Sequence, residues 1–254
     1  MGKIIAVTNQ KGGVGKTTTA VNLSACLAEA GQRVLLLDLD PQGNASSGLG
    51  ISAKGKDTSY EVITGRAILK DCILPTCVEG LDVCPADIRL ANAEVELVQL
   101  EKREQRLRIV LATVKDSYDF ILIDCPPSLS LLTVNALTAA QRVLVPIQCE
   151  YYALEGVTSL MDTVNKVKRT FNPQLDIEGI VLTMLDGRTN LGLQVVAQVK
   201  KHFKNKVFST SIPRNVRLGE APSHGLPIHL YDSRSSGAEA YRSLAKEVLH
   251  RNGK

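Results

Sequence analysis

The sequence predicts a doubly wound α/β fold, a mostly parallel sheet flanked by helices on both faces. Three observations predict it: short continuous apolar runs, helix-period segments alternating with them, and a glycine-rich loop joining the first run to the first helix. The runs are Ile4–Thr8, Val34–Asp38, Leu81–Cys84, Phe120–Asp124, Val143–Ile147 and Ile177–Met184. Each is too short for a typical helix and too continuous for a strand with one wet face. Each therefore reads as a strand buried on both faces.

Helices are expected between them, at about Lys16–Ala30, Arg103–Lys115, Leu129–Ala140, Leu154–Thr170 and Leu191–Phe203. In the fourth, Leu154, Val157, Leu160, Met161, Val164 and Val167 recur at helical spacing. In the fifth, Leu191, Val195, Val199 and Phe203 recur every four residues. Near the end of the chain Tyr241, Leu244, Ala245, Val248 and Leu249 form one more amphipathic stripe. No internal repeat, low-complexity tract or Pro/Ser-rich linker interrupts the series, so residues 1–254 are expected to form one domain.

Composition and charge narrow the function classes. No stretch of about 18 or more uncharged apolar residues is present to span a membrane. Met1 to Lys3 leads straight into an apolar run, and Ala6 breaks a myristoylation pattern starting at Gly2, so a cytoplasmic protein is expected. The six cysteines form no Cys-x-x-Cys pair and are expected to be small buried hydrophobes. From Arg188 to Lys254 there are 12 Lys and Arg against four acids, an excess of +8. The preceding residues carry 18 basic and 22 acidic side chains, a balance of −4. A basic quarter on a mildly acidic body suggests a polyanion-binding face, with a merely solvated surface as the alternative.

The loop after the first run reads Lys11-Gly12-Gly13-Val14-Gly15-Lys16-Thr17-Thr18. Strand, glycine loop and helix in that order make a P-loop. Backbone amides close around phosphate oxygens, glycines because a Cβ would crowd the tight turn. The helix N-terminus adds its dipole. Lys16 is expected to reach the β- and γ-phosphates, Thr17 to ligate Mg²⁺, and Thr18 to bond the α-phosphate. Phe120-Ile121-Leu122-Ile123-Asp124 is an apolar strand ending in a carboxylate, which places Asp124 on Mg²⁺ through a water. Val34 to Asp38 leads into Leu39-Asp40-Pro41-Gln42-Gly43-Asn44, a second set of acids beside the same crevice, with Asp38 as a supporting or metal-side carboxylate. ATP with Mg²⁺ is the expected cofactor. Asn165-Lys166-Val167-Lys168 lacks the acid that a guanine-reading motif needs.

One departure from the usual P-loop is informative: Gln10 stands where a glycine is expected, and a second lysine, Lys11, follows it. This resembles the deviant Walker A loop of the ParA/MinD class of ATPases. The resemblance extends over essentially the whole chain to the ParA/Soj proteins. It rests on Asp40 to Asn44, Asp124-Cys125-Pro126-Pro127-Ser128, Cys149 to Gly156, Leu182 to Asn190, Pro213-Arg214-Asn215-Val216-Arg217 and Glu220 to Gly225.

The resemblance implies an ATPase that forms a homodimer in its ATP state. Lys11 would reach the partner's nucleotide in trans, and Asp40 would orient the attacking water. Pro213, by its backbone, and Asn215 would contact adenine. The dimer would bind double-stranded DNA without sequence preference, through positions including Arg188 and Arg217, and associate with the nucleoid. A ParB-like partner would stimulate hydrolysis in chromosome or plasmid segregation. The alternatives are a MinD-like membrane-cycling ATPase in division-site placement, using the last helix on lipid, a nitrogenase-reductase-like electron carrier and a DNA-coating protein that does not hydrolyse ATP.

Overall fold

A computed structural model of the chain describes residues 2–150, 155–188 and 190–254. Met1, residues 151–154, of which Leu154 opens the fourth expected helix, and Thr189 lie outside the described residues. The strands are β1 (Lys3–Val7), β2 (Val34–Asp38), β3 (Leu74–Pro75), β4 (Leu81–Cys84), β5 (Phe120–Asp124), β6 (Arg142–Gln148), β7 (Asp176–Leu185) and β8 (Val207–Pro213). They form one sheet in the order β3-β4-β2-β5-β1-β6-β7-β8. Every pairing is parallel except that of the two-residue β3 with β4.

The helices are α1 (Lys16–Glu29), α2 (Asn44–Gly48), α3 (Ser59–Thr64), α4 (Leu69–Cys72), α5 (Leu90–Leu97) and α6 (Arg106–Leu111). They continue as α7 (Leu131–Ala139), α8 (Glu155–Thr170), α9 (Asn190–Phe203), α10 (Val216–Glu220), α11 (Ile228–Tyr231) and α12 (Ser236–Arg251).

Side-chain alternation explains why the strands read as unbroken apolar runs. Successive residues of a strand point to opposite faces. Ile4, Ala6, Leu35, Leu37, Ile121 and Ile123 pack into one core. Their neighbours Ile5, Val7, Val34, Leu36, Phe120 and Leu122 pack into the other. With helices on both faces, neither set can be polar.

On the second face, α12 packs on α1 and on β8. Its stripe Tyr241, Leu244, Ala245 and Val248 is buried there, so the apolar side of this helix is used inside the fold and not presented outward.

Three expectations are corrected. The helix expected over Arg103–Lys115 shrinks to α6, with turns on either side. Strand β8 has no counterpart among the apolar runs, because Ser209, Thr210 and Ser211 interrupt its pattern at the sheet's edge. Cys77 is exposed, while the other five cysteines are buried as expected.

The order of strands fixes where a ligand can enter. From β1 the chain runs to β2 on one side of the sheet, while β6 lies on the other side of β1. A crevice opens at the carboxyl ends of the strands at such a switch point. Val7 lies opposite Asp124, and Asp124 opposite Asp38, so β1, β5 and β2 end level with one another at this crevice.

Candidate functional site

The loop between β1 and α1 is held from neighbouring strands. Asn9 Nδ2 donates to the Pro146 carbonyl at 2.7 Å, and its Oδ1 accepts from the Lys11 amide at 3.1 Å. From β7, the Thr183 hydroxyl donates to the Val14 carbonyl at 2.8 Å. Gly13 and Gly15 have φ of 73° and 84°, a left-handed conformation that costs other residues.

Crowding, expected as the reason for the glycines, is not what the structure shows. A Cβ on Gly12 or Gly13 would meet no described protein atom within 4 Å. Backbone conformation demands Gly13 and Gly15, and the open space over Gly12 and Gly13 faces the cavity. Val14 is buried and contributes to the loop through its backbone.

Lys16 is only 6% exposed, and its ammonium donates to the Lys11 carbonyl at 3.1 Å. Burial pushes its pKa down, against the upward pull of Asp124 and Asp40. Asp124 is fully buried, and neither of its carboxylate oxygens has a hydrogen-bond partner among the described residues. Burial drives its carboxyl well above the usual range, and repulsion from Asp38 adds to this. The Thr17 hydroxyl faces it closely enough to pull the other way without completing a full hydrogen bond. An orphaned carboxylate beside a hydroxyl is a hard oxygen donor set of the kind Mg²⁺ takes, with the remaining positions left to phosphate and water. Thr17 and Asp124 therefore fit that ion.

Asp38 is differently employed. Its Oδ2 accepts from the Ser46 amide at 2.9 Å and the Ser46 hydroxyl at 2.6 Å, and its Oδ1 from the Asp40 amide at 3.2 Å. Of the two roles expected for it, these bonds support the supporting one. Asp40 Oδ1 accepts from the Gln42 amide at 3.0 Å.

Two cavities meet at the loop. One of about 360 Å³ is lined by Gly12, Gly13, Gly15, Lys16, Thr17, Thr18 and Asp40, and also by Gln42, Asn44, Pro127 and Met184. A second of about 210 Å³ shares Gly15, Thr18 and Met184 and adds Thr183, Ile212, Pro213, Arg214, Asn215, Leu218, Gly219 and Tyr241. A lysine-bearing chamber thus lies beside a largely apolar one, with Gly15, Thr18 and Met184 lining both.

Sequence reasoning gave no role to Gln42, Asn44, Pro127, Thr183 or Met184. All lie in or beside stretches noted for their resemblance, which was the only signal. Met184 joins the two chambers in a left-handed conformation, φ 52°, uncommon for a non-glycine residue. Tyr241 read only as part of an apolar stripe, yet its hydroxyl meets Thr19 Oγ1 at 3.2 Å.

Four predicted residues sit differently from the rest. Lys11 does not line either chamber; its ammonium pairs with Glu150 at 3.3 Å, at the surface. Asn215 lines the apolar chamber, but its Oδ1 caps α10 through the Arg217 amide and its Nδ2 donates to Ser236 Oγ at 2.9 Å. Arg188 and Arg217 lie outside the crevice. Arg188 forms a two-point pair with Asp186, and Arg217 pairs with Glu220 and Asp232.

Comparison with known proteins extends the geometry. An AAA domain family matches residues 2–177. The chain is 63% identical to the sporulation initiation inhibitor protein Soj of Bacillus subtilis, across 98% of both chains. It is 54% identical to the chromosome-partitioning ATPase Soj of Treponema pallidum, across 100% of this chain and 99% of that one. A solved structure of cobyrinic acid a,c-diamide synthase from Mycobacterium smegmatis, with bound ADP and magnesium, superposes with a TM-score of 0.88. It is 38% identical and covers 100% of this chain and 96% of that one. The phosphate crevice, the sheet order around it and identity sustained from end to end agree: the protein belongs to the Soj/ParA family of chromosome-partitioning ATPases.

Proposed function

We propose that the chain, acting as one P-loop domain over residues 1–254, is an ATP-driven dimerising switch in chromosome segregation. It holds MgATP with its phosphates on the 12–18 loop, Lys16 on the β- and γ-phosphates, and Thr17 and Asp124 toward Mg²⁺. The base lies in the chamber bounded by Pro213 and Asn215. An ion held by Thr17 and Asp124 would supply positive charge against that developing on the transferred phosphoryl group. Asp40, the one acid among the described residues lining the phosphate chamber, orients the attacking water. Lys11, turned out of its own chamber, reaches the nucleotide of a second copy. The ATP dimer binds double-stranded DNA without sequence preference, so the protein resides on the nucleoid, and a ParB-like protein stimulates hydrolysis.

The observation that carries this reading is the orphaned, fully buried Asp124 carboxylate beside Thr17 and Lys16. Such a group is costly without a partner, and a metal bound to nucleotide supplies one. For the DNA step the support is the +8 excess after residue 187. Arg188 and Arg217 already hold carboxylates there, so phosphates would exchange one anionic partner for another.

Size-exclusion chromatography of Asp40→Ala with ATP, with and without duplex DNA, tests the whole reading. A stable ATP dimer that co-elutes with duplex of any sequence is expected. A monomer in ATP overturns the switch, and a dimer that ignores DNA overturns the DNA step alone.

A further inference from the structure

The loop that carries Asp40 is closed on itself by a single carboxylate. Residues 40 to 46 leave the end of β2 and return to it as α2 begins. Asp38 takes the Asp40 amide on one oxygen and both the amide and hydroxyl of Ser46 on the other. The Ser46 hydroxyl also accepts from the Ala86 amide at 3.1 Å, which ties the loop to the segment after β4. Asp38, Ser46 and Asp40 are 0%, 1% and 7% exposed, so water cannot replace these bonds. Gly43, at φ 63°, lies so close to the same segment that an added Cβ would come within 2.8 Å of the Ala86 carbonyl.

We infer that Ser46 is a positioning residue for hydrolysis: its hydroxyl, held between Asp38 and the Ala86 amide, sets where Asp40 stands. Ser46 lines neither chamber, so it acts on the reaction only through Asp40. The inference rests on the proposed role of Asp40. Both anchors of the Asp40 loop converge on Asp38, and Ser46 is the side chain that fixes the far anchor. Without its hydroxyl, Asp38 Oδ2 keeps only the Ser46 amide and the Ala86 amide loses its acceptor. The loop can then drift, and small displacements of a catalytic group cost up to about 100-fold in rate.

The experiment measures steady-state ATP hydrolysis, the KM for MgATP and the Mg²⁺ concentration for half-maximal rate. The proteins are the parent, Ser46→Ala, Asp40→Ala and the double variant, each checked by circular dichroism. Ser46→Ala is expected to lower kcat by roughly 10- to 100-fold. KM and the Mg²⁺ requirement should stay near the parental values. In the Asp40→Ala background the same change should lower the residual rate no further, because the group it positions is gone.

Asp38→Asn, of the same shape, provides a second variant if Ser46→Ala folds poorly. A lower kcat at unchanged KM is expected there too. Parental kcat in Ser46→Ala beside an impaired Asp40→Ala overturns the inference while leaving the Asp40 role intact. A full additional loss in the double variant, or a shifted Mg²⁺ requirement in Ser46→Ala, overturns it as well. Parental turnover in Asp40→Ala would instead sink the role of Asp40 itself.

Discussion

Lys16, Asp38, Asp40 and Asp124, gathered at the crevice end of the sheet, are each 7% exposed or less, whereas the side chains of Arg188 and Arg217 are 89% and 54% exposed. Within the buried set Asp38 and Asp40 accept backbone hydrogen bonds, whereas Asp124 has no hydrogen-bond partner among the described residues and Lys16 rests on a backbone carbonyl. The exposed set is fully supplied, each arginine holding a nearby carboxylate. A low-dielectric site with unmet charge can bind one ligand tightly and with defined geometry. Exposed pairs in water are individually weak, and such a surface works by summing many interactions. Removing one group should therefore be decisive in the crevice and graded on the surface.

The largest effect belongs to Lys16→Ala. It removes the cation facing two buried acids and the phosphate-binding charge together. ATP-dependent dimerisation should disappear by size-exclusion chromatography, with nucleotide binding severely weakened. A variant that still dimerises with ATP would break the contrast at its strongest point.

Lys11→Ala should separate the two chambers of a dimer. Because Lys11 lies outside its own chamber, ADP affinity measured by calorimetry should stay within a few-fold while the ATP dimer is lost. Failure to bind ADP would place Lys11 in its own site.

A smaller effect concerns pH. Burial raises the Asp38 carboxyl to about 6 and the Asp124 carboxyl well above its usual range. In the empty protein such shifts contribute stability at low pH that is lost as pH rises through the raised values. A metal ion needs the ionised carboxylate, so its binding releases a proton and weakens as pH falls. The rise in Tm on adding Mg²⁺ with ADP should shrink between pH 8 and pH 6. An increment independent of pH would mean that Asp124 does not hold the ion, directly or through a water.

The smallest single effects are expected from Arg188→Glu and Arg217→Glu. Each should leave the ATP dimer intact, weaken duplex binding and flatten its salt dependence, by about 0.9 log units per decade of salt for each phosphate no longer neutralised. Unchanged salt slopes in both variants would make the basic excess an ordinary solvated surface. Equal affinity of the ADP form for random duplex would remove the nucleotide switch from DNA binding.

Much of this protein is decided within short stretches of its sequence. Six of the eight strands among the described residues are legible because a strand buried on both faces has no polar position to hide its limits. The 11–18 loop is legible because a phosphate cradle needs glycine conformations, a lysine and a hydroxyl at fixed spacing on one strand–helix junction. Strand β8 and the short helices α2, α3 and α5 escaped because edge strands and helices of few turns take their stability from packing, not from a local pattern. The tertiary structure alone decides the rest, since it rests on pairings far apart in sequence. Folding brings Glu150 to Lys11, Tyr241 to Thr19 and Thr183 to the Val14 carbonyl. It also leaves Asp124 without a hydrogen-bond partner among the described residues, while Asp38, level with it on the neighbouring strand, is saturated by Ser46 and Asp40. Two aspartates that end two similar apolar strands look alike as letters. They differ in the fold because the Ser46 and Asp40 donors reach Asp38, while no donor among the described residues completes a hydrogen bond to Asp124.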